Sequence, residues 1–198
     1  MSKPPPTTRL WIASTWDGEP LAEGQRARVD LRLGEHHLEI EVEAPYLGDP
    51  APPGPPGSTD RLWEYEVVEV FVAGPGDDSA VETTEIEISP HGHHLVLRLR
   101  GVRQPWASGL PLDLETRIVG ERWRARARLD LHLLPTSPWR VNAYAIHGPP
   151  PTRYHHAAFA VPGPTTDFHR PEHFAPWDPA RGLESLTYPG ASQPPAKR

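Results

Sequence analysis

The chain has 198 residues, 37% of them hydrophobic and 23% charged, with 27 prolines and 16 glycines, which describes one turn-rich globular domain. It has no cysteine, and this removes disulfides, thiolate nucleophiles and Cys-ligated zinc. The net charge of −6 is uneven: residues 1–100 carry 8 Lys/Arg against 18 Asp/Glu, and residues 101–198 carry 12 against 8. Nucleic-acid binding needs a concentrated positive field, so no nucleic-acid partner is expected. No apolar stretch suited to an export signal or a membrane span follows the Pro-rich start, so the expectation is a cytoplasmic protein with no membrane partner.

In chain order, residues 1–9 and 179–198 are expected to be Pro-rich tails flanking a single domain over 10–178. Alternation of apolar and polar residues recurs at 27–33, 37–44, 67–73, 82–89, 94–99, 112–119, 123–131 and 140–147. Eight period-two segments and no convincing helix predict an all-β antiparallel β-sandwich. Gly34-Glu35 and Gly120-Glu121 suit two-residue type II′ hairpins, and Pro90-His91-Gly92 makes a further reversal. A short helical turn is expected at 131–134, stopped by Pro135. Glu39, Glu41 and Glu43 alternate with core-like residues, as do Arg122, Arg124, Arg126 and Arg128, and the two rows are predicted to face each other on an outer surface.

Two long segments break the pattern. Residues 45–62 form an 18-residue connection with six prolines, expected to be a preshaped wall or lid. Residues 165–177 carry Asp167, Phe168, His169, His173, Phe174 and Trp177, too aromatic for a solvated tail, and are predicted to fold back onto the sandwich.

The candidate chemistry follows from parity. Val68, Val70 and Val72 make a core row, so Glu69 points to the opposite face beside aromatic groups, where a carboxylate needs a partner. Ile86 and Ile88 are core-like in turn, which puts Glu85 and Glu87 on the face of Glu69 if the two strands pair. Close carboxylates push one pKa upward and can act as acid and base; the competing expectation is that they meet arginines on an exposed face. His147 shares parity with Ala143 and Ala145, whose small side chains leave room, so Glu69 and His147 are predicted to line one cavity rimmed by 45–62. Trp16, Trp63, Tyr65 and Trp106 are the candidate stacking platforms, while Trp123 and Trp139 are core candidates. Among the 11 histidines, adjacent His93 and His94 face opposite sides of a strand and Pro171 separates His169 from His173, so neither a metal nor a cofactor is expected. No phosphate loop or nucleophile elbow is present.

The blocks TWDG (15–18), APYLGDPAPPGPPG (44–57), LWEYEVVEVF (62–71), PHGHHLVL (90–97), AIHG (145–148) and DFHRPEHF (167–174) resemble uncharacterised protein family 0462 of animals and bacteria, over roughly 13–177. The strand pair around Glu69 and Pro90-His91-Gly92 is similar to the DOMON-like superfamily, which includes family 9 carbohydrate-binding modules and haem- or sugar-binding domains. This resemblance implies a sandwich with a ligand-binding concave face and implies no reaction. Met1 is the only methionine, so the Met-ligated haem of some relatives does not carry over. The expected function is binding of a small ligand, a sugar among the candidates, by Trp16, Trp63, Tyr65, Glu69, Glu87, Trp106, His147, Asp167 and His169. The alternative is a cofactor-independent cyclase, isomerase or hydrolase using Glu69 and His147 as acid and base.

Overall fold

All eight alternating segments are strands in the computed structural model, which describes residues 6–76 and 80–181. In chain order the strands are β1 (Thr7–Ile12), β2 (Ser14–Thr15), β3 (Ala27–Leu33), β4 (His37–Pro45), β5 (Gly57–Ser58), β6 (Val67–Pro75) and β7 (Val81–Ile88). They continue as β8 (His93–Arg100), β9 (Pro105–Ser108), β10 (Asp113–Val119), β11 (Arg122–Asp130), β12 (Trp139–His147), β13 (Tyr154–Ala157) and β14 (Ala175–Trp177). Five strands form one sheet in the order β1-β3-β4-β11-β10. The other sheet has nine, running β2-β13-β12-β6-β7-β8-β5, with β14 on β12 and β9 on β8. Every pairing is antiparallel except β5 with β8. The fold is an all-β sandwich; among the described residues no helix is long and apolar enough to cross a membrane.

The main core lies between the sheets. Leu38, Ile40 and Val42 of β4 and Trp123, Ala125 and Leu129 of β11 meet Val68, Val70, Val72, Ile86 and Ile88 of the larger sheet. The opposite face of the smaller sheet carries the two charged rows in the expected register, with Arg124 opposite Glu43, Arg126 opposite Glu41 and Arg128 opposite Glu39. Arg28 and Arg32 add pairs to Glu43 and Glu39 at 3.3 and 3.0 Å. Each such exposed pair is worth about 0.2–1 kcal/mol, so the ladder fixes register more than it stabilises.

The larger sheet is buried on both faces. That is why β6 reads as a nearly continuous apolar run, VVEVFVA, interrupted by one acid. Its outer face is covered by Leu62, Val161, Phe168 and Phe174, which pack on Val67, Phe71, Leu95, Leu97 and Tyr144. The fold-back expected of 165–177 is therefore present.

Two local details differ from expectation. β1 begins at Thr7, inside the expected tail, because Thr8, Leu10 and Ile12 form a buried row against β3. Gly34 keeps a negative φ and donates to the His37 carbonyl at 2.9 Å, so the reversal sits at Glu35-His36; Gly120, with φ +61°, makes the two-residue turn as expected. The Leu131–Leu133 turn is a 3-10 turn ending before Pro135. Of the C-terminal tail expected at 179–198, residues 182–198 lie outside the described residues.

Candidate functional site

Antiparallel pairing of β6 and β7 sets Glu69 opposite Glu87 and Phe71 opposite Glu85, so three carboxylates share the covered face. They are 2%, 4% and 0% exposed at Glu69, Glu85 and Glu87. One oxygen from each lies within 4.8 Å of the others. Neither oxygen of Glu87 has a hydrogen-bond partner of good geometry. Burial pushes the Glu69 carboxyl well above the usual range, and Glu85 pushes it further while Arg153 opposes. Burial likewise raises Glu87, reinforced by Glu69 and Glu85 and moderated by the Trp63 backbone N–H. Tyr144, opposite Glu69 on β12, has its phenol raised by burial and by Glu69. This face holds carboxyls that keep their protons to higher pH than free carboxyls do.

His169 sits at the edge of the group. Its Nε2 lies 3.1 Å from Glu85 Oε2, and its ring stands edge-on to Phe71 at 5.4 Å. The Asp167 carboxylate accepts the His169 backbone N–H at 3.1 Å and pairs with Arg103 at 3.1 Å. Beside this imidazole opens a cleft of about 240 Å³ lined by Phe71, Leu99, Val102, His169, Glu172 and Phe174. A partly buried imidazole between the cleft and a buried carboxylate can relay a proton or hold a ligand's polar end.

Two side chains absent from the sequence-based set hold the surroundings. Asn142 is fully buried; its amide donates to Tyr144 Oη at 2.8 Å and to the Phe159 carbonyl at 2.9 Å, and its oxygen accepts the Phe159 N–H at 3.0 Å. It thus ties the covering chain to β12. Arg153 donates to the carbonyls of Gly148, Trp63 and Tyr65 at 2.7, 2.8 and 2.7 Å. No periodicity marks either role, since both depend on contacts distant in sequence.

His147 is elsewhere. Ala143 and Ala145 pair with Val70 and Val68 and face the core between the sheets, so His147 has the parity opposite to Glu69. The small alanines admit the facing sheet, not a ligand. His147 stacks on Tyr154 at 5.1 Å, meets His156 edge-on at 4.9 Å and lines a pocket of about 60 Å³ with Glu66 and Leu47. Burial lowers its pKa, with Arg153 and His155 adding and Asp49 opposing; His156 beside it falls to about 4, again chiefly through burial. Glu69 and His147 therefore do not share a cavity. Segment 45–62 touches both places: Leu47 lines the His147 pocket, and Leu62 covers the acidic face.

Of the aromatics, Tyr65 and Trp16 pack, partly buried, against the cover of the acidic face. Trp63 lies in the 3-10 turn Leu62–Glu64 rather than on β6, and its ring is largely exposed. Trp106 lies exposed on β9 over the Arg98 guanidinium at 4.7 Å. Arg98 has the parity of Val96, so this ring belongs to the opposite face. Trp123 is core, and Trp139 packs against Trp177. The metal-capable group among the described residues is the three glutamates, not the histidines; the Glu85-x-Glu87 spacing opposite Glu69 was the available signal.

No family model matches the chain. It is 37% identical over 174 residues to the UPF0462 protein C4orf33 homolog of Mus musculus, covering 84% of this chain and 88% of that protein. To UPF0462 protein C4orf33 of Homo sapiens it is 36% identical over 171 residues, covering 82% and 84%. Among solved structures, it superimposes on a Bacteroides uniformis protein proposed to be carbohydrate-binding, with TM-score 0.65, 14% identity and coverage of 86% and 84%. A family 9 carbohydrate-binding module from Caldicellulosiruptor kristjanssonii in complex with glucose gives TM-score 0.38 at 15% identity, covering 78% and 73%. The Bacteroides likeness supports the sandwich fold alone, and the sequence likeness supports the family: this chain belongs to the UPF0462 family.

Proposed function

We propose that the protein binds a small polyhydroxylated ligand, a carbohydrate among them, in the cleft beside His169, with the ligand's polar end directed at the Glu69, Glu85 and Glu87 group. The observation that carries this is Glu87, fully buried behind the cleft lining with neither oxygen in a hydrogen bond of good geometry. Leaving a buried acceptor unsatisfied costs about 1–3 kcal/mol, and an apolar residue at the same position would cost nothing of the kind. Acceptors kept at that cost are explained by donors that arrive with a ligand. Phe71 and Phe174 supply the apolar wall of the cleft, with Tyr65 and Trp16 in the adjoining cover. The description of the Bacteroides neighbour names the same ligand class.

A panel of monosaccharides, short oligosaccharides and polyols, screened by saturation-transfer NMR in chelating buffer, tests this. Binding should be lost in Glu87→Leu, which keeps apolar bulk but no acceptor. Absence of any binder, or equal binding by the variant, counts against it.

A second proposal is favoured by the 3.1 Å contact between His169 and Glu85 beside two carboxyls whose pKa values burial raises. It is cofactor-independent acid/base chemistry on the same ligand, with His169 in the place expected for His147. Turnover of a bound ligand that disappears in His169→Gln while binding persists distinguishes it from binding alone.

A further inference from the structure

We infer that Glu69, Glu85 and Glu87, with His169 at their edge, form a site for a first-row divalent metal ion. This rests on the proposal that the carboxylates serve a ligand rather than the fold. β-pairing, not chance rotamers, brings the three together, because Glu69 and Glu87 are directly opposed and Glu85 is two residues along on the same face. Their oxygens lie within 4.8 Å of one another, so small side-chain rotations bring all three to one ion at about 2.0–2.2 Å.

The independent observation is Glu87, which is 0% exposed and has no hydrogen bond of good geometry at either oxygen, the Trp63 backbone N–H approaching without meeting one. Compensating charge is missing as well. Among the described residues no Lys or Arg forms an ion pair with Glu69 or Glu87, and Arg153, the cation that acts on Glu69, gives its hydrogen bonds to three carbonyls. Three carboxylates this close ionise together only when a cation neutralises them. One divalent ion would satisfy Glu87 and replace the missing charge, and would take the imidazole of His169 as a nitrogen ligand once that ring turned inward from the edge of the group, where its Nε2 now touches Glu85 alone. Three oxygens and one nitrogen suit Mn²⁺, Fe²⁺ or Zn²⁺ better than Ca²⁺, which takes six to eight oxygens, or Mg²⁺, which keeps several waters. The expectation of no metal rested on the spacing between histidines, whereas this group is built on three glutamates with one histidine at its edge. His169 also borders the cleft, so the ion would lie within reach of a ligand there.

The test strips the full chain with chelator and titrates Mn²⁺, Zn²⁺, Mg²⁺ and Ca²⁺ separately, reading bound metal per chain and melting temperature. One equivalent of Mn²⁺ or Zn²⁺ should bind and raise the melting temperature by several degrees. Glu87→Gln and Glu69→Gln should each abolish that shift, and His169→Ala should weaken uptake at least tenfold. No uptake of any ion overturns the inference. So does Zn²⁺ uptake that survives both glutamine variants, which would report surface histidines, and so does Ca²⁺ uptake indifferent to His169→Ala. The titration contains no organic ligand, and the sugar panel is read both in chelator and with diamagnetic Zn²⁺, so failure of the metal site and failure of ligand binding are separately visible.

Discussion

Glu69 and Glu87 face each other directly across β6 and β7, both buried and neither ion-paired among the described residues. Two carboxyls so placed titrate as a unit, and the folded chain holds protons there that the unfolded chain gives up.

Stability of the metal-free chain should therefore carry a signature at this pair. Below the ordinary carboxyl value of 4.5 both states are protonated and the pair costs no ionic penalty. As pH rises past it, the unfolded chain releases protons that the folded chain retains, so stability falls by up to about 1.4 kcal/mol per unit for each group. Glu87→Gln removes one such group. Its advantage over the native chain in urea denaturation should grow as pH rises above 4.5; a constant gap would mean that Glu87 ionises as freely folded as unfolded.

An opposite slope should come from His156. Its folded value of about 4 lies below the ordinary 6.5, so the unfolded chain gains a proton first as pH falls. Stability is intact above 6.5 and is lost on the way down to 4, by roughly 2–3 kcal/mol at pH 4.5. His156→Gln should lose less between pH 7 and 4.5 than the native chain does. Equal losses would place the acid sensitivity elsewhere.

What the sequence makes legible follows from periodicity. The valine row of β6 and the isoleucines of β7 define the core face, so the shared face of Glu69, Glu85 and Glu87 follows from counting by two. The same counting puts His147 with Ala143 and Ala145. The error lay in taking small residues as ligand space, when they border the facing sheet. His169 reaches Glu85 across 84 residues from a segment with no repeat, and β2, β5, β13 and β14 are two to four residues long, too short for alternation to register. Nothing in the sequence neighbours of Trp106 reveals that it covers Arg98.

Asn142 should be the polar residue whose loss most loosens the cover. Asn142→Leu leaves the Phe159 N–H and carbonyl without their side-chain partner, at about 2–4 kcal/mol. Hydrogen exchange should quicken at Phe159 and through 160–174 more than in β3 and β4. Uniform quickening would show a general loss of stability instead.

Arg153 joins the two regions that the sequence suggested were one. Its guanidinium serves three carbonyls, those of Gly148, Trp63 and Tyr65, and its charge lowers the pKa of His147 and His155 while opposing the rise at Glu69. Arg153→Met keeps the apolar stem but removes donors and charge together. Stability should drop by about 2–4 kcal/mol, less than three full charged hydrogen bonds because the Trp63 carbonyl recovers water. The imidazoles of His147 and His155 should then titrate at higher pH, as followed by NMR. Arg153→Lys separates the two effects, since an ammonium restores the charge but cannot reach three carbonyls in the geometry of a planar fork. The lysine variant should return the histidine titrations toward native values while leaving most of the stability unrecovered. Full recovery of both would make Arg153 a charge and not a brace, and unchanged histidine titrations in Arg153→Met would show that its charge does not reach them.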